Sequence, residues 1–295
     1  MRDLGVTSAS EPFVNLLTQG MVCKETLKCP EHGWLFPHEA AGGKCTKCGK
    51  DVETGRVEKM SKSKRNIVDP DHLIAKYGSD TARLFSLFAA PPEKDLEWSD
   101  QGVEGAYRFL NRLWNIVHKN REALTKARGG PEGITPLLRK THRTIKRVTN
   151  DIEREYHFNT AIAALMELAN SITSFVPASD GDYKALRYSI ETLLLLLSPF
   201  SPHISEELWE AVGNGPGIFQ KQWPVWDEDL AKEEEIELVV QVNGKVRAKL
   251  MVQPDLSDDE IKGLALDEPK IKSLLEERPL KKLFVVKGKL VNIVI

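Results

Sequence analysis

Beyond residue 48 the chain has no cysteine: Cys23, Cys29, Cys45 and Cys48 all fall in the first fifth of its 295 residues. That distribution excludes a disulfide framework running through the fold and favours a local metal site. Long apolar runs are also missing. Runs such as the five leucines 193–197 fall far short of the roughly 20 residues that a membrane-spanning helix needs. Nor is there an excess of charge of one sign: 41 Lys and Arg against 43 Asp and Glu leave a net −2, so no global field draws the chain to nucleic acid or membrane. Contacts of that kind must come from local patches. The first residues carry no basic leader ahead of an apolar stretch, and no segment is repetitive or of low complexity. The expectation is a cytoplasmic globular chain. With 41% hydrophobic and 28% charged residues it can bury a core, and its length suits about two domains with room for a small third.

Residues 13–17 read as a short apolar strand ended by Thr18-Gln19-Gly20. Residues 23–58 combine the cysteines with Pro30, Gly33, Pro37, Gly42, Gly43, Gly49 and Gly55, a density of turn formers that predicts knuckles and short strands. Asp69-Pro70 starts a helix that Gly78 interrupts, and a second runs on to Ala90. From 99 to 124, Val103, Ala106, Leu110, Leu113, Trp114 and Val117 keep the three-four spacing of an amphipathic helix. Residues 137–156, 159–176, 183–197 and 205–212 add further helices, which together predict an all-α bundle over 99–226 whose end, 213–226, is an irregular cover. The six tryptophans are expected in the core. Residues 227–237 hold seven acids against one lysine and predict an exposed acidic linker. Residues 238–242, the turn Asn243-Gly244 and residues 245–252 form a hairpin signal. Helices at 257–266 and 270–276 and two closing strands complete a small α+β domain over 238–295.

Three constellations carry chemistry. Lys59-Met60-Ser61-Lys62-Ser63-Lys64-Arg65-Asn66 puts cations and small hydroxyls in a short polar loop, a composition suited to a triphosphate but shared by any solvated basic loop. Cys29-Pro30-Glu31-His32-Gly33 and Cys45-Thr46-Lys47-Cys48-Gly49 are two knuckle-like pairs, each followed by glycine, with the spacing of a closed structural zinc site. Cys23 could replace His32 as fourth ligand, and four free thiols are the remaining reading. Residues 139–147 hold cations and no acid; Arg139, Arg143, Lys146 and Arg147 share one side of a helix, as a solvated face or a phosphate-binding stripe would. In the C-terminal domain Lys245, Arg247 and Lys249 alternate along a strand and so are expected on one face. That domain counts eleven basic against eight acidic residues.

The string KMSKS resembles the second signature of class I aminoacyl-tRNA synthetases. Residues 16–22 before it, Tyr77-Gly78-Ser79-Asp80-Thr81-Ala82-Arg83-Leu84 after it, and residues 96–106 are similar to the bacterial leucyl-tRNA synthetases. Phe158-Asn159-Thr160-Ala161-Ile162-Ala163 and residues 198–209 resemble the helical anticodon-binding-type domain of enzymes for large aliphatic amino acids, and residues 240–247 the C-terminal domain of the leucyl enzymes. The resemblance spans nearly the whole chain. It implies the C-terminal part of a multidomain α/β plus all-α enzyme. Residues 1–98 would be the end of a Rossmann-type catalytic domain with a zinc-ribbon-like insertion at 23–58. Residues 99–226 would be the anticodon-binding-type bundle, 227–237 a linker and 238–295 a tRNA-binding domain.

The activity implied is ATP-dependent activation of leucine, with Mg2+, and its transfer to tRNA(Leu), by a cytoplasmic enzyme of a generally monomeric family. Lys62 would contact the triphosphate and stabilise charge on departing pyrophosphate, Lys59 would support it, and Met60, Ser61 and Ser63 complete the ATP loop. Zn2+ would order the insertion near the tRNA acceptor end. The sequence departs from the family in two respects: it contains no editing domain, and no His-x-Gly-His motif, the other half of the ATP cradle, so the chain alone is expected to be inactive. Alternatives are a valyl-, isoleucyl- or methionyl-type fragment, or a zinc-containing tRNA-binding module without catalysis. The Asn-Gly hairpin domain favours leucine among these.

Overall fold

The computed structural model describes residues 1–295 except 12, 14, 233–235, 253–255, 278–279 and 287–288, together with the side chains of 155, 236, 276 and 277. Parts of the expected strand at 13–17 and of the acidic linker at 227–237 therefore lie outside the described residues. The chain divides into two units, Met1–Leu230 and Ala231–Ile295.

Strand β1 (Val22–Cys29) organises the start of the first unit. Strands β2 (Gly33–Leu35) and β5 (Glu53–Lys59) pair with it antiparallel, Leu27 opposite Leu35 and Cys23 opposite Lys59. Between them a small hairpin joins β3 (Ala40–Ala41) to β4 (Lys44–Cys45). Among the described residues of this unit, the parallel pairing in this sheet is a short one, of β1 with β6 (Leu96–Glu97). The rest of the sheet is antiparallel. A tight loop joins β1 to β2 and so makes them antiparallel, whereas β6 is reached from β5 by a long crossover through two helices. These are α1 (Pro70–Tyr77), where Asp69 accepts the Asp71 N–H at 3.0 Å, and α2 (Ser79–Phe88). Gly78, at φ 83°, makes the break between them.

The helical pattern expected from spacing is present as α3 (Asp100–Lys126), α4 (Pro136–Asn150), α5 (Phe158–Ser174), α6 (Asp180–Leu197) and α7 (Pro202–Ala211). A π-helical turn, Asp151–Glu155, ends α4 early, and Tyr156 then takes φ 52° to redirect the chain into α5. Buried Phe85, Leu113, Ile145, Leu165, Leu168, Ile190, Leu194 and Leu208 form one core shared by α2 to α7. The tryptophans do not behave as expected: Trp209 is buried, but Trp114 and Trp223 are 39% and 37% exposed. Trp223 lies on the cover and is held there by its indole N–H, which donates to Thr149 Oγ1 at 2.8 Å. An indole keeps a wet edge when its polar atom sits at the rim.

The acidic stretch also differs from a free linker. Asp227 to Leu230 belong to the first unit, where α8 (Glu228–Ala231) begins. Buried His142 on α4 stacks on Tyr188, and its Nδ1 accepts the Asp227 N–H at 3.0 Å.

The second unit has the expected ββααββ order: β7 (Ile236–Val242), β8 (Lys245–Val252), α9 (Asp258–Asp267), α10 (Pro269–Glu277), β9 (Lys282–Val286) and β10 (Leu290–Val294). Its sheet runs β8-β7-β10-β9, with β7 and β10 parallel and the other pairs antiparallel. Asn243 and Gly244 both have positive φ, 49° and 76°, as a two-residue hairpin turn requires. Leu238, Val240, Ile261, Ala265, Ile271, Val291 and Ile293 bury the helices on the sheet. No helix among the described residues is long and apolar enough to cross a membrane.

Two outcomes follow from this packing. Leu165 is fully buried at the bundle centre, so Leu165→Ala should lower stability by about 2–5 kcal/mol in urea titration. Burial holds the His142 pKa below its ordinary value, against a smaller opposing pull from Asp227. The folded state therefore resists protonation there. Stability from this residue is present above the unfolded value of about 6.5 and is lost as pH falls through the lowered folded value. Thermal melts at pH 7 and pH 5 should show that loss in the native chain and a smaller one in His142→Gln.

Candidate functional site

The polar loop begins where the β1–β5 ladder ends. Lys59 is the last residue of β5, and the Met60 N–H still donates to the Val22 carbonyl at 2.9 Å. From Ser61 the chain turns, and buried Asn66 closes the turn on itself. Its Oδ1 accepts the Ser61 N–H at 2.9 Å, while its Nδ2 donates to the carbonyls of Lys24 at 3.0 Å and Glu58 at 3.2 Å. Inside, Ser61 Oγ accepts the Lys64 N–H at 3.3 Å, and Lys62 O accepts the Arg65 N–H at 3.3 Å. Arg65 holds φ 57°, a conformation a β-carbon disfavours.

The loop's cations divide into two sets. Lys64 pairs with Glu58, and Arg65 Nη1 with Glu39 Oε2 at 3.2 Å. Lys64, then Arg56, holds the Glu58 carboxyl below the usual carboxylate range. Lys59 and Lys62 are exposed and have no acidic partner among the described residues. The loop thus presents two uncommitted ammonium groups beside Ser61 and Ser63, whose hydroxyls lie 3.3 Å apart. Sequence reasoning assigned no role to Asn66, Glu58 or Glu39. Asn66 was detectable in principle as an amide side chain between a basic loop and a helix cap. Glu39 gave no sequence signal, since it lies 26 residues from Arg65.

At the other end of β1 the cysteines gather. The ligating atoms of Cys29, His32, Cys45 and Cys48 all lie within 4.8 Å of one another. Cys29 Sγ is 3.5 Å from Cys48 Sγ and 3.6 Å from His32 Nδ1, and Cys45 Sγ is 3.7 Å from that nitrogen. Those separations are near the edge of about 3.8 Å expected for a tetrahedron with metal–sulfur bonds of about 2.3 Å. Cys29 and Cys45 are buried, and Gly33 and Gly49, at φ 69° and 73°, let each knuckle turn back. Burial raises the Cys29 thiol pKa, but the amides of Glu31 and His32 and the contacts to His32 and Cys48 overcome this and bring it to about 6. For Cys48 the Lys50 amide favours the thiolate, yet burial and the neighbouring Cys29 and Cys45 sulfurs push it up to about 11. A soft donor set this close, with one thiol already acidic, fits a divalent metal. Cys23 stands apart: it faces Lys59 in the β1–β5 ladder, and its Sγ contacts the Met21 carbonyl at 3.9 Å.

The two basic patches look different once folded. On α4, Lys146 pairs with Glu228 at 2.6 Å, Arg147 with Glu167 at 3.5 Å, and Lys140 with Glu167 at 2.7 Å. Arg139 donates to the Asp229 carbonyl at 3.3 Å, and Arg143 Nε is buried. Acids from α5 and α8 therefore offset much of a charge that looks unopposed within residues 139–147. On β8 the expected single face fails, because a bulge sits at Arg247. Val246 pairs with Gln241 and Ala248 with Val240, leaving Arg247 as the extra residue. Lys245 therefore lies opposite Val242 and Lys249 opposite Val239, residues that point to opposite sides of the sheet. Lys249 also pairs with Glu237 at 2.8 Å, while Lys245 and Arg247 are exposed.

Comparison with known proteins places this geometry. Residues 52–99 match the model for class I tRNA synthetases (I, L, M and V), and residues 136–262 match that for the anticodon-binding domain of tRNA ligases. The whole chain is 51% identical to 36% of the leucine–tRNA ligase of Desulfatibacillum aliphaticivorans, and 48% identical to 35% of that of Syntrophus aciditrophicus. It spans about a third of the length of the curated relatives it matches. A crystal structure of an Agrobacterium radiobacter LeuRS–tRNA–LeuAMS ternary complex aligns over 99% of the chain and 34% of its own, at 30% identity and TM-score 0.66. Sequence and fold agree that the chain belongs to the class I tRNA synthetases and, within them, is similar along its whole length to the leucine–tRNA ligases.

Proposed function

We propose that the chain supplies the KMSKS half of the ATP site and much of the tRNA-binding surface of a leucine–tRNA ligase. The observation that carries the reading is the division of charge in residues 59–66: Lys64 and Arg65 are committed to acids, and Lys59 and Lys62 are left for a ligand. Activation of leucine joins its carboxylate to the α-phosphorus of ATP and expels pyrophosphate. Negative charge grows on the departing oxygens, so a fixed ammonium near them lowers the barrier without covalent chemistry by the protein. Lys62 fills that role at the turn of the loop, and Lys59 supports it from the strand end. Met60, Ser61 and Ser63 complete the nucleotide contact. Mg2+, bound with ATP, would share the neutralisation.

The Cys29–His32–Cys45–Cys48 cluster would hold Zn2+ with every position filled by protein, which supplies structural cross-linking. Lys245 and Arg247 are proposed to meet tRNA(Leu) phosphates. On α4, Arg139, Arg143, Lys146 and Arg147 would add to this, Lys146 and Arg147 only where phosphate displaces Glu228 and Glu167. In this reading 1–98 completes a catalytic domain, 99–226 is the anticodon-binding-type bundle and 238–295 the tRNA-binding module of a monomeric cytoplasmic enzyme.

In the full-length ligase, Lys62→Ala should lower leucine-dependent ATP–pyrophosphate exchange by about 10²–10³-fold, the scale of losing one transition-state donor. Binding of tRNA(Leu) should stay unchanged, and an undiminished exchange rate would refute the assignment. Metal analysis of the purified chain should find about one zinc per chain. Cys45→Ser should abolish it and Cys23→Ser should retain it; loss of zinc in Cys23→Ser with retention in His32→Ala would make Cys23 the fourth ligand.

A further inference from the structure

Glu39 stands where the cysteine cluster and the KMSKS loop meet. It ends the short turn Pro37–Glu39 and leads into β3, where Ala40 pairs with the cluster residue Cys45. Its carbonyl accepts both the N–H and the hydroxyl of Thr46, at 3.0 and 3.1 Å, and Thr46 lies inside the second knuckle. Its carboxylate is shared. Oε1 meets Lys47, also in that knuckle, at 2.7 Å; Oε2 accepts the Phe36 N–H at 3.0 Å and Arg65 Nη1 at 3.2 Å. The Arg65 guanidinium further rests over the Phe36 ring at 5.2 Å. With 14% side-chain exposure and a carboxyl drawn down to about 2, chiefly by Lys47, Glu39 is an ionised, largely enclosed acceptor. No other acid among the described residues joins a knuckle cation to a loop cation.

Arg65 is the loop residue most in need of external support. Its left-handed backbone is unfavourable for a residue with a β-carbon, and it directly precedes Asn66, which staples Ser61 to β1 and β5. A shift of Arg65 therefore shifts the staple and, through Ser61, the hydroxyls beside Lys62. The knuckle geometry controls the other end of the chain of contacts, since Thr46 and Lys47 lie between the ligands Cys45 and Cys48.

We propose that Glu39 is a positioning residue that couples the Cys29–His32–Cys45–Cys48 cluster to the KMSKS loop, so that a filled cluster holds the loop in its closed turn. The consequence for catalysis rests on the reading of residues 59–63 as an ATP loop; the coupling itself does not.

The test uses this chain loaded with Co2+, whose visible absorption reports the ligand set, and hydrogen exchange resolved by residue. In the native chain, removing Co2+ with EDTA should speed exchange at Ser61, Lys64 and Arg65 about tenfold, while the Lys24 and Glu58 amides of the β1–β5 ladder stay slow. In Glu39→Gln, with metal stoichiometry and Co2+ spectrum unchanged, those three amides should already exchange at the metal-free rate, and EDTA should add nothing. Arg65→Gln, which leaves every group around the cluster intact, should lose the response to EDTA in the same way. The proposal is overturned if chelation leaves the native loop unchanged, if it opens the whole ladder, if either variant still responds as the native chain does, or if Glu39→Gln alters the Co2+ spectrum. No nucleotide enters this experiment, so its failure is separable from an unaffected Lys62→Ala exchange rate.

Discussion

The antiparallel ladder between Val22–Cys29 and Glu53–Lys59 is the constraint on which the first unit's chemistry depends. One end of β1 delivers Cys29 to the Cys29–His32–Cys45–Cys48 cluster; the other end, through Cys23 opposite Lys59, places the start of the KMSKS loop. Because paired strands cannot shift by one residue without turning every side chain to the other face, the ladder ties two sites together that could otherwise drift apart. Asn66 extends the same logic into the loop, since its amide reaches carbonyls on both strands. A buried amide with its hydrogen bonds satisfied is a rigid staple, and an unsatisfied one would be costly.

Around that frame, acids decide which cations remain available. Glu58 and Glu39 take Lys64 and Arg65, and what is left over is the pair suited to a triphosphate. The same selection on α4 has the opposite effect, because Glu167 and Glu228 draw Lys140, Lys146 and Arg147 into pairs. Partly exposed pairs of this kind add little stability. Their importance is in presenting or withholding charge.

The ββααββ unit shows how a small irregularity changes a surface. Apolar alternation and the Asn-Gly turn determine the strands and their pairing, yet the bulge at Arg247 resets the phase, so Lys245 and Lys249 part company. Bulges carry little sequence signature when the extra residue is neither glycine nor proline. The helical bundle was legible because three-four spacing reports burial directly, and α3, α5 and α6 lie close to where that spacing puts them. Tryptophan was a poorer guide. Trp223 satisfies its indole N–H on Thr149 and Trp114 stacks on His118, both in partly exposed positions that side-chain size alone does not reveal.

By itself, then, the amino-acid sequence determined what local chemistry can encode. That covers the knuckle spacing around Cys29, His32, Cys45 and Cys48, the KMSKS string, the helical periodicity and the Asn-Gly hairpin. Each depends on residues a few positions apart, whose geometry the backbone sets directly. Tertiary structure decided that His32 and not Cys23 joins the cluster, that Lys59 and Lys62 are the uncommitted cations, and that Glu39 stands between cluster and loop. These outcomes turn on distances between residues far apart in the chain. Such distances exist only after the β1–β5 pairing has closed.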